Sequence, residues 1–197
     1  MPVKRERGRQ TVEKLLDSAL TVYSQKGPRD YTLSAVLEHS GVSVGSLYHH
    51  FGGFDGLNAA LYLRGSRDLN AELTEAILPQ TTAKGGIQAF VLTIIDWCER
   101  NRDMAHFMLV IPHMALADRT AETWTEVEEM FAELVAWLVP HFESGALRPM
   151  PVRMFEALVN GPVNEFLRAW LLGLPEVGID DARAVLPERI WESVKGD

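Results

Sequence analysis

Thr32-Leu33-Ser34-Ala35-Val36-Leu37-Glu38-His39-Ser40-Gly41-Val42-Ser43-Val44-Gly45-Ser46-Leu47-Tyr48-His49-His50-Phe51-Gly52-Gly53 is the stretch on which the fold turns. Thr32 is placed to cap a short helix through about Ser40, because its hydroxyl can accept from a backbone N–H of the first turn. Leu33, Val36 and Leu37 face inward on it, and Gly41 ends it. Ser43 can cap a second helix, Val44 to about Phe51, before Gly52-Gly53 break the chain. Two helices of about two turns each, joined around a glycine, make a helix-turn-helix pattern.

Upstream, Val12, Leu15, Leu16, Ala19, Leu20 and Tyr23 lay one apolar stripe over a helix from about Thr11 to Lys26. Thr11 is its expected cap, and Gly27-Pro28 its stop. Downstream, Leu57, Leu61, Leu69, Leu73 and Ile77 sit at multiples of four in a long helix, about Phe54 to Leu78. Such a stripe winds by ~40° per step. Its first half should therefore pack on the short helices and its second half on the rest of the chain. Five further helices are expected. Ile87, Phe90, Ile94, Trp97 and Cys98 mark one, and Met104, Phe107, Met108 and Ile111 another, interrupted by Pro112. Trp124, Val127, Phe131, Leu134 and Leu138 mark a long one ending near Pro140. A very apolar one spans Phe155 to Leu171, kinked at Pro162. The last begins near Asp180-Asp181, with Pro187 a possible split. The fold class read from this is all-α. An N-terminal three-helix domain, residues 1–53, is joined by a long helix to a larger helical domain within 54–197.

The net charge of the 197 residues is −8, which by itself argues against nucleic acid. Its distribution reverses that impression. Residues 1–53 hold seven Lys or Arg against five Asp or Glu, so they carry +2 and the remainder −10. A basic end on an acidic body suits a protein in which one small domain touches phosphate. No apolar run reaches the roughly 18 residues of a membrane helix. The charged start lacks a secretory h-region, and Cys98 has no partner for a disulfide, so a reducing cytoplasm is the expected location.

The stretch from Arg9 to about Leu63 resembles the DNA-binding domain of the TetR family of regulators. The resemblance lies in Thr11, Leu15-Leu16, Ala19-Leu20 and Gly27, then Tyr31-Thr32, Val36 and Ser40-Gly41-Val42-Ser43. It continues through Gly45-Ser46-Leu47-Tyr48-His49-His50-Phe51 and Leu57. It implies a sequence-specific transcription regulator, commonly a repressor released from a palindromic operator by a small molecule. A weaker similarity covers Gly161-Pro162, Glu165, Arg168-Ala169-Trp170-Leu171 and Gly173. In such proteins the last two helices of each subunit form the homodimer interface. One departure stands out: many members carry Ser-Lys-Glu where this chain has Gly53-Phe54-Asp55, so a phosphate-contacting Lys is missing.

Direct readout needs a helix in the major groove whose side chains reach base edges. Val44, Gly45, Ser46, His49 and His50 occupy the candidate positions. Gly45 allows close approach, Val44 suits a thymine methyl, and Ser46 and His49 can hydrogen-bond. Tyr48 resembles the family tyrosine that bonds phosphate. Thr32 and Ser43, at helix starts, suit phosphate oxygens. Lys4, Arg5, Arg7 and Arg9 would supply the salt-dependent attraction.

In the larger domain, Trp97, Met104, Phe107, Met108, Trp124 and Phe131 are candidates to line an adaptable pocket for a small apolar effector. Asp96, Arg100, His106, His113 and Glu128 could anchor polar groups. The apolar face of 155–171 is too broad for a monomer's surface. Phe155, Leu158, Val163, Phe166, Leu167, Trp170, Val185 and Ile190 are therefore candidates for the dimer interface. A ligand preferring the wrong separation of the two recognition helices would weaken DNA binding.

Two other readings compete. Gly41-Val42-Ser43-Val44-Gly45 spells the nucleophile elbow of a serine hydrolase, but that elbow needs a strand before the serine, and here a helix precedes it. A helical protein-interaction module with an incidental basic arm is the other. The six histidines show no metal-binding spacing. His49 and His50 are adjacent and should point apart. Neither a metal nor any other cofactor is expected.

Overall fold

Thr11 caps nothing. Its hydroxyl donates to the carbonyl of Arg7 at 2.9 Å, because helix α1 (Pro2–Asp30) already runs from Pro2. The charged start, which lies before the helix expected from about Thr11, is helical as well. Gly27 breaks the helix with φ 73° and ψ 174°, where the Gly-Pro pair predicts a stop. The computed structural model describes residues 2–110, 121–176 and 178–196, with side chains over 6–110, 125–176 and 178–196.

Helices α2 (Leu33–Ser40) and α3 (Val44–Phe51) match their sequence signals. The Thr32 hydroxyl accepts from Ala35 N at 3.2 Å and that of Ser43 from Ser46 N at 3.2 Å. Each helix ends on a left-handed glycine, Gly41 at φ 61° and Gly52 at φ 72°. Only glycine holds that conformation without a Cβ clash. The long helix α4 (Phe54–Ile77) follows, then α5 (Ala83–Arg100) and α6 (Arg102–Val110).

The long helix expected to end near Pro140 is two. α7 (Ala121–Met130) and α8 (Ala132–Glu143) meet at Phe131, whose φ −93° and ψ 3° leave the helical region. Pro140 lies inside α8 rather than at its end. The last two, α9 (Val152–Leu171) and α10 (Ile179–Val194), each run through a proline, at Pro162 and Pro187. Among the described residues the one pairing of extended chain is Leu147 with Lys195. Ile111, Pro112, His113 and Met114 lie outside the described residues.

α4 touches α1 and α3 on one side and α5, α6, α7 and α8 on the other, as its winding stripe requires. One continuous apolar core runs from Leu15, Val36 and Leu47 through Leu57 and Leu61 to Leu73, Ile95, Val163 and Ile190. Tyr31 bridges the 53/54 junction, with its ring 5.0 Å from Phe54 and its hydroxyl donating to Asn58 Oδ1 at 2.7 Å.

α3 is seated on α4 by a close approach. A Cβ on Gly56 would lie 1.8 Å from the carbonyl oxygen of Phe51, so only a hydrogen fits there. Replacing Gly56 with Ala must push α3 off α4, a backbone shift that overpacking makes worth about 1–3 kcal/mol. Gly56→Ala is therefore expected to lower the unfolding free energy by that amount, checked by the fall in urea midpoint at unchanged slope in equilibrium denaturation.

Candidate nucleic-acid interface

α3 has two unlike sides. Leu47 is fully buried and Phe51 half-buried, which fixes the inner side. Val44, Gly45, Tyr48 and His49 form the outer row, one turn apart in pairs. Val44 is 52% and Tyr48 53% exposed, high for residues that otherwise prefer the interior. A Cβ on Gly45 would meet nothing within 4 Å, so no packing inside the protein demands glycine there. Its small size matters only toward solvent. Ser46 is half-buried at the edge of this row.

His49 and His50 differ more than their adjacency suggests. His49 is exposed, whereas His50 is half-buried with its Cε1 3.7 Å from where a Cβ of Gly8 would be. Their rings nevertheless lie 5.0 Å apart, so they do not point clear of each other as expected.

Thr32 and Ser43 are exposed, and each hydroxyl oxygen already accepts a backbone N–H. Each hydroxyl proton remains to be donated, which is the direction a phosphate oxygen needs. Arg7 and Arg9 are exposed on the first turns of α1, with Arg9 paired to Glu6 at 2.9 Å. A pair that open exchanges readily for phosphate. The side chains of Lys4 and Arg5 lie outside the described residues. At the start of α4, Gly53 offers no side-chain cap and Asp55 sits exposed in the first turn. Asp55 suits the helix dipole but opposes an approaching phosphate.

Ser43 is no hydrolase nucleophile: α2 precedes it where the elbow needs a strand. Burial pushes the Cys98 thiol up to about 12, so it stays protonated and inert. Among the described residues no group of three or more His, Cys, Asp or Glu could hold a metal ion.

The candidate pocket residues need correction. Trp97 and Phe107 are buried, with no free surface for a ligand. The Trp97 indole N–H donates to Asp68 Oδ2 at 2.7 Å. Met104 is buried and Met108 half-buried, and both fill the space over Gly65, where a Cβ would lie 2.5 Å from Met108 Sδ. Phe131 is half-buried at the α7–α8 break. The Trp124 side chain lies outside the described residues, as does His113. Three of the candidate polar anchors have protein partners instead: Asp96 with Arg183, Arg100 with Glu72, and His106 with Tyr23. Glu128 is exposed.

Asn70 is a residue that sequence reasoning missed. It lies on the inner face of α4 among buried Ser66, Leu73 and Ile77. Its Oδ1 is buried and accepts no hydrogen bond. A polar residue inside an apolar stripe was the available signal.

The candidate dimer residues divide. Phe155, Val163, Leu167 and Ile190 are buried in this subunit's own core, so they cannot also lie on its outer face. Leu158, Phe166 and Trp170 are half-buried, and Val185 is 51% exposed. Val152 and Met154, which sequence reasoning passed over, are more open, at 72% and 54%.

A capped, exposed two-turn helix propped on a helical body defines the class: a helix-turn-helix protein of all-α fold. Residues 15–61 match the model of the bacterial regulatory proteins of the tetR family. Over that stretch the chain is similar to this family of regulators. It is 32% identical over 77 residues to the HTH-type transcriptional regulator BetI of Brucella canis, a match covering 39% of each chain. It thus spans well under half the length of that relative. A TetR family transcription regulator from Marinobacter aquaeolei VT8 superimposes with TM-score 0.79 over 98% of this chain and 100% of that one, at 16% identity. The fatty acid degradation regulator FadR from Bacillus halodurans gives TM-score 0.73 over 91% and 94%, at 14% identity. At such identities the likeness is one of fold.

Removing the negative charge beside the interface should strengthen nucleic-acid binding. Asp55→Asn is expected to tighten duplex DNA binding by about threefold and Asp55→Lys by about tenfold at low salt. Fluorescence anisotropy at two salt concentrations would check this, with the gain shrinking as salt rises.

Proposed function

We propose that this chain is a dimeric transcription regulator that binds near-palindromic operator DNA as a repressor and lets go when a small apolar molecule binds. The observation that carries the reading is the outward row Val44, Gly45, Tyr48 and His49, held away from the body by buried Leu47. An α-helix of that width enters the major groove. On this reading residues 1–53 are the DNA-binding unit and 54–197 the effector and dimer unit. Val44, Gly45, Ser46 and His49 meet bases, and His50 lies at the edge of that contact. Thr32, Ser43 and Tyr48 bond phosphate. Arg7 and Arg9 supply sequence-blind attraction. The dimer forms through the open parts of α9 and α10, with Val152, Met154, Leu158, Phe166 and Val185 against the partner subunit.

The effector reading has one polar support. A buried acceptor without a donor, such as Asn70 Oδ1, is worth about 1–3 kcal/mol of lost stability. It is relieved when a ligand supplies an N–H or O–H. Among the described residues no helix is long and apolar enough to cross a membrane, and the cytoplasm is the compartment in which such a regulator meets DNA.

Two measurements test this. Selection from a random duplex pool should yield a near-palindromic site whose affinity falls steeply with salt. Recovery of no DNA would leave only a helical interaction module. Separately, Asn70→Leu should raise the Tm of the ligand-free protein by about 2–4 °C, the shift that roughly 1 kcal/mol produces in a chain this long. A lowered Tm would mean that the amide is satisfied and anchors nothing.

A further inference from the structure

The first turn of α3 brings together two residues that the protein's own packing does not explain. Val44 is the first residue of the helix and is 52% exposed. Gly45 follows it, where alanine would be the better helix former. The backbone of Gly45 is helical rather than left-handed, and a Cβ on it would meet nothing within 4 Å. Neither conformation nor internal packing calls for glycine there, so what it leaves open is the space outside. Valine is β-branched and keeps one strongly preferred rotamer in a helix. Its two methyls therefore stand in a fixed place beside that space, with little freedom to lose on contact.

An apolar step beside a gap suits an apolar group on a base edge. In the major groove that group is the 5-methyl of a pyrimidine, which thymine carries and cytosine lacks. 5-Methylcytosine carries it too, and uracil is thymine without it. Thymine and 5-methylcytosine differ at C4, where one has an oxygen acceptor and the other an amino donor. Telling those apart needs a side chain with a fixed hydrogen-bonding sense. The exposed or half-buried polar residues within one turn of Val44 are Ser43, Ser46 and Tyr48, all hydroxyls that can donate or accept. Ser43 already accepts from Ser46 N at 3.2 Å. His49 lies five residues on, ~7.5 Å along the helix axis.

We propose that Val44 and Gly45 form a reader of the pyrimidine 5-methyl group that takes 5-methylcytosine as readily as thymine. The inference rests on the regulator reading above and names the chemical feature that this turn of α3 recognises. Burying one methyl is worth about fourfold in affinity, hence about fifteenfold over the two half-sites of a palindrome. A site with cytosine at this position is bound weakly until that cytosine is methylated at C5. Base methylation thereby controls occupancy of such sites.

The test uses the full-length protein and the near-palindromic duplex it selects from a random pool, with affinity read by fluorescence anisotropy. Each thymine of the half-site is replaced in turn, in both halves, by uracil, which removes the methyl and nothing else. One such thymine should cost about fifteenfold when replaced. At that position, cytosine and 5-methylcytosine opposite guanine give a second pair differing only in the methyl. The methylated duplex should bind about fifteenfold tighter than the unmethylated one and within about threefold of the thymine duplex. Val44→Ser, at a site exposed enough to leave the fold intact, should shrink both methyl gains to about twofold or less. Gly45→Ala should leave Tm unchanged or raised, yet weaken binding to the thymine and 5-methylcytosine duplexes by about tenfold. A flat uracil scan would overturn the reader, as would a cytosine duplex that gains nothing from methylation. So would methyl gains that persist in Val44→Ser, or a Gly45→Ala variant that binds as tightly as wild type. A protein that selects no duplex at all would remove the regulator reading itself, an outcome distinct from a flat scan on a selected site.

Discussion

An eight-residue helix is not stable alone in water, because nucleation fixes several residues for each hydrogen bond gained. α3 exists because Leu47 is driven fully into the core and because Ser43 and Gly52 satisfy its ends. Those two requirements decide everything outside them. Once Leu47 points inward, Val44, Tyr48 and His49 have nowhere to go but solvent. The exposure of the interface is thus a consequence of packing on the opposite side of the same helix. Gly56 then sets how closely that helix sits against α4.

α4 has a different problem: it must serve two sets of neighbours along one length. Its polar side chains are arranged to do so. Arg64 reaches Glu13 and Asp17 of α1, Arg67 reaches Glu126 of α7, Asp68 takes the Trp97 indole and Glu72 takes Arg100 of α5. Most of these groups are partly or largely exposed, so each pair adds little to stability. The apolar stripe beneath supplies the stabilisation. Asn70 stands apart from this pattern, as a polar group turned inward without a partner.

Electrostatics in this chain is organised by region. The net charge of −8 would repel DNA if spread evenly. Arg7 and Arg9 are exposed on the first turns of α1, and Gly8 between them lies beside His50 of α3. Asp55 works against their attraction for phosphate while supporting the start of α4, a compromise between helix stability and phosphate affinity.

Local signals explain what could be read without coordinates. Caps at Thr32 and Ser43, stops at Gly27, Gly41 and Gly52, and the stripe of α4 depend on residues within a few positions of one another. They place α2, α3 and α4 almost to the residue. The outer row of α3 follows from the same periodicity. The helical start before Thr11 escaped, because a charged segment carries no apolar stripe. The break at Phe131 escaped as well, because apolar periodicity continues across it. Burial of a given aromatic was never local. Trp97 and Phe107 look alike as pocket or as core until neighbouring helices close over them. Phe155, Val163, Leu167 and Ile190 look like a dimer face until the subunit's own core takes them. The amino-acid order alone determined helices α2, α3 and α4 and which of them bears the outward row, since hydrogen bonding and periodicity act over one or two turns. Only the tertiary structure decided which apolar faces are spent inside the subunit, and that α6 packs on both α1 and α9, because those contacts join residues such as Tyr23 and His106 that lie 83 positions apart.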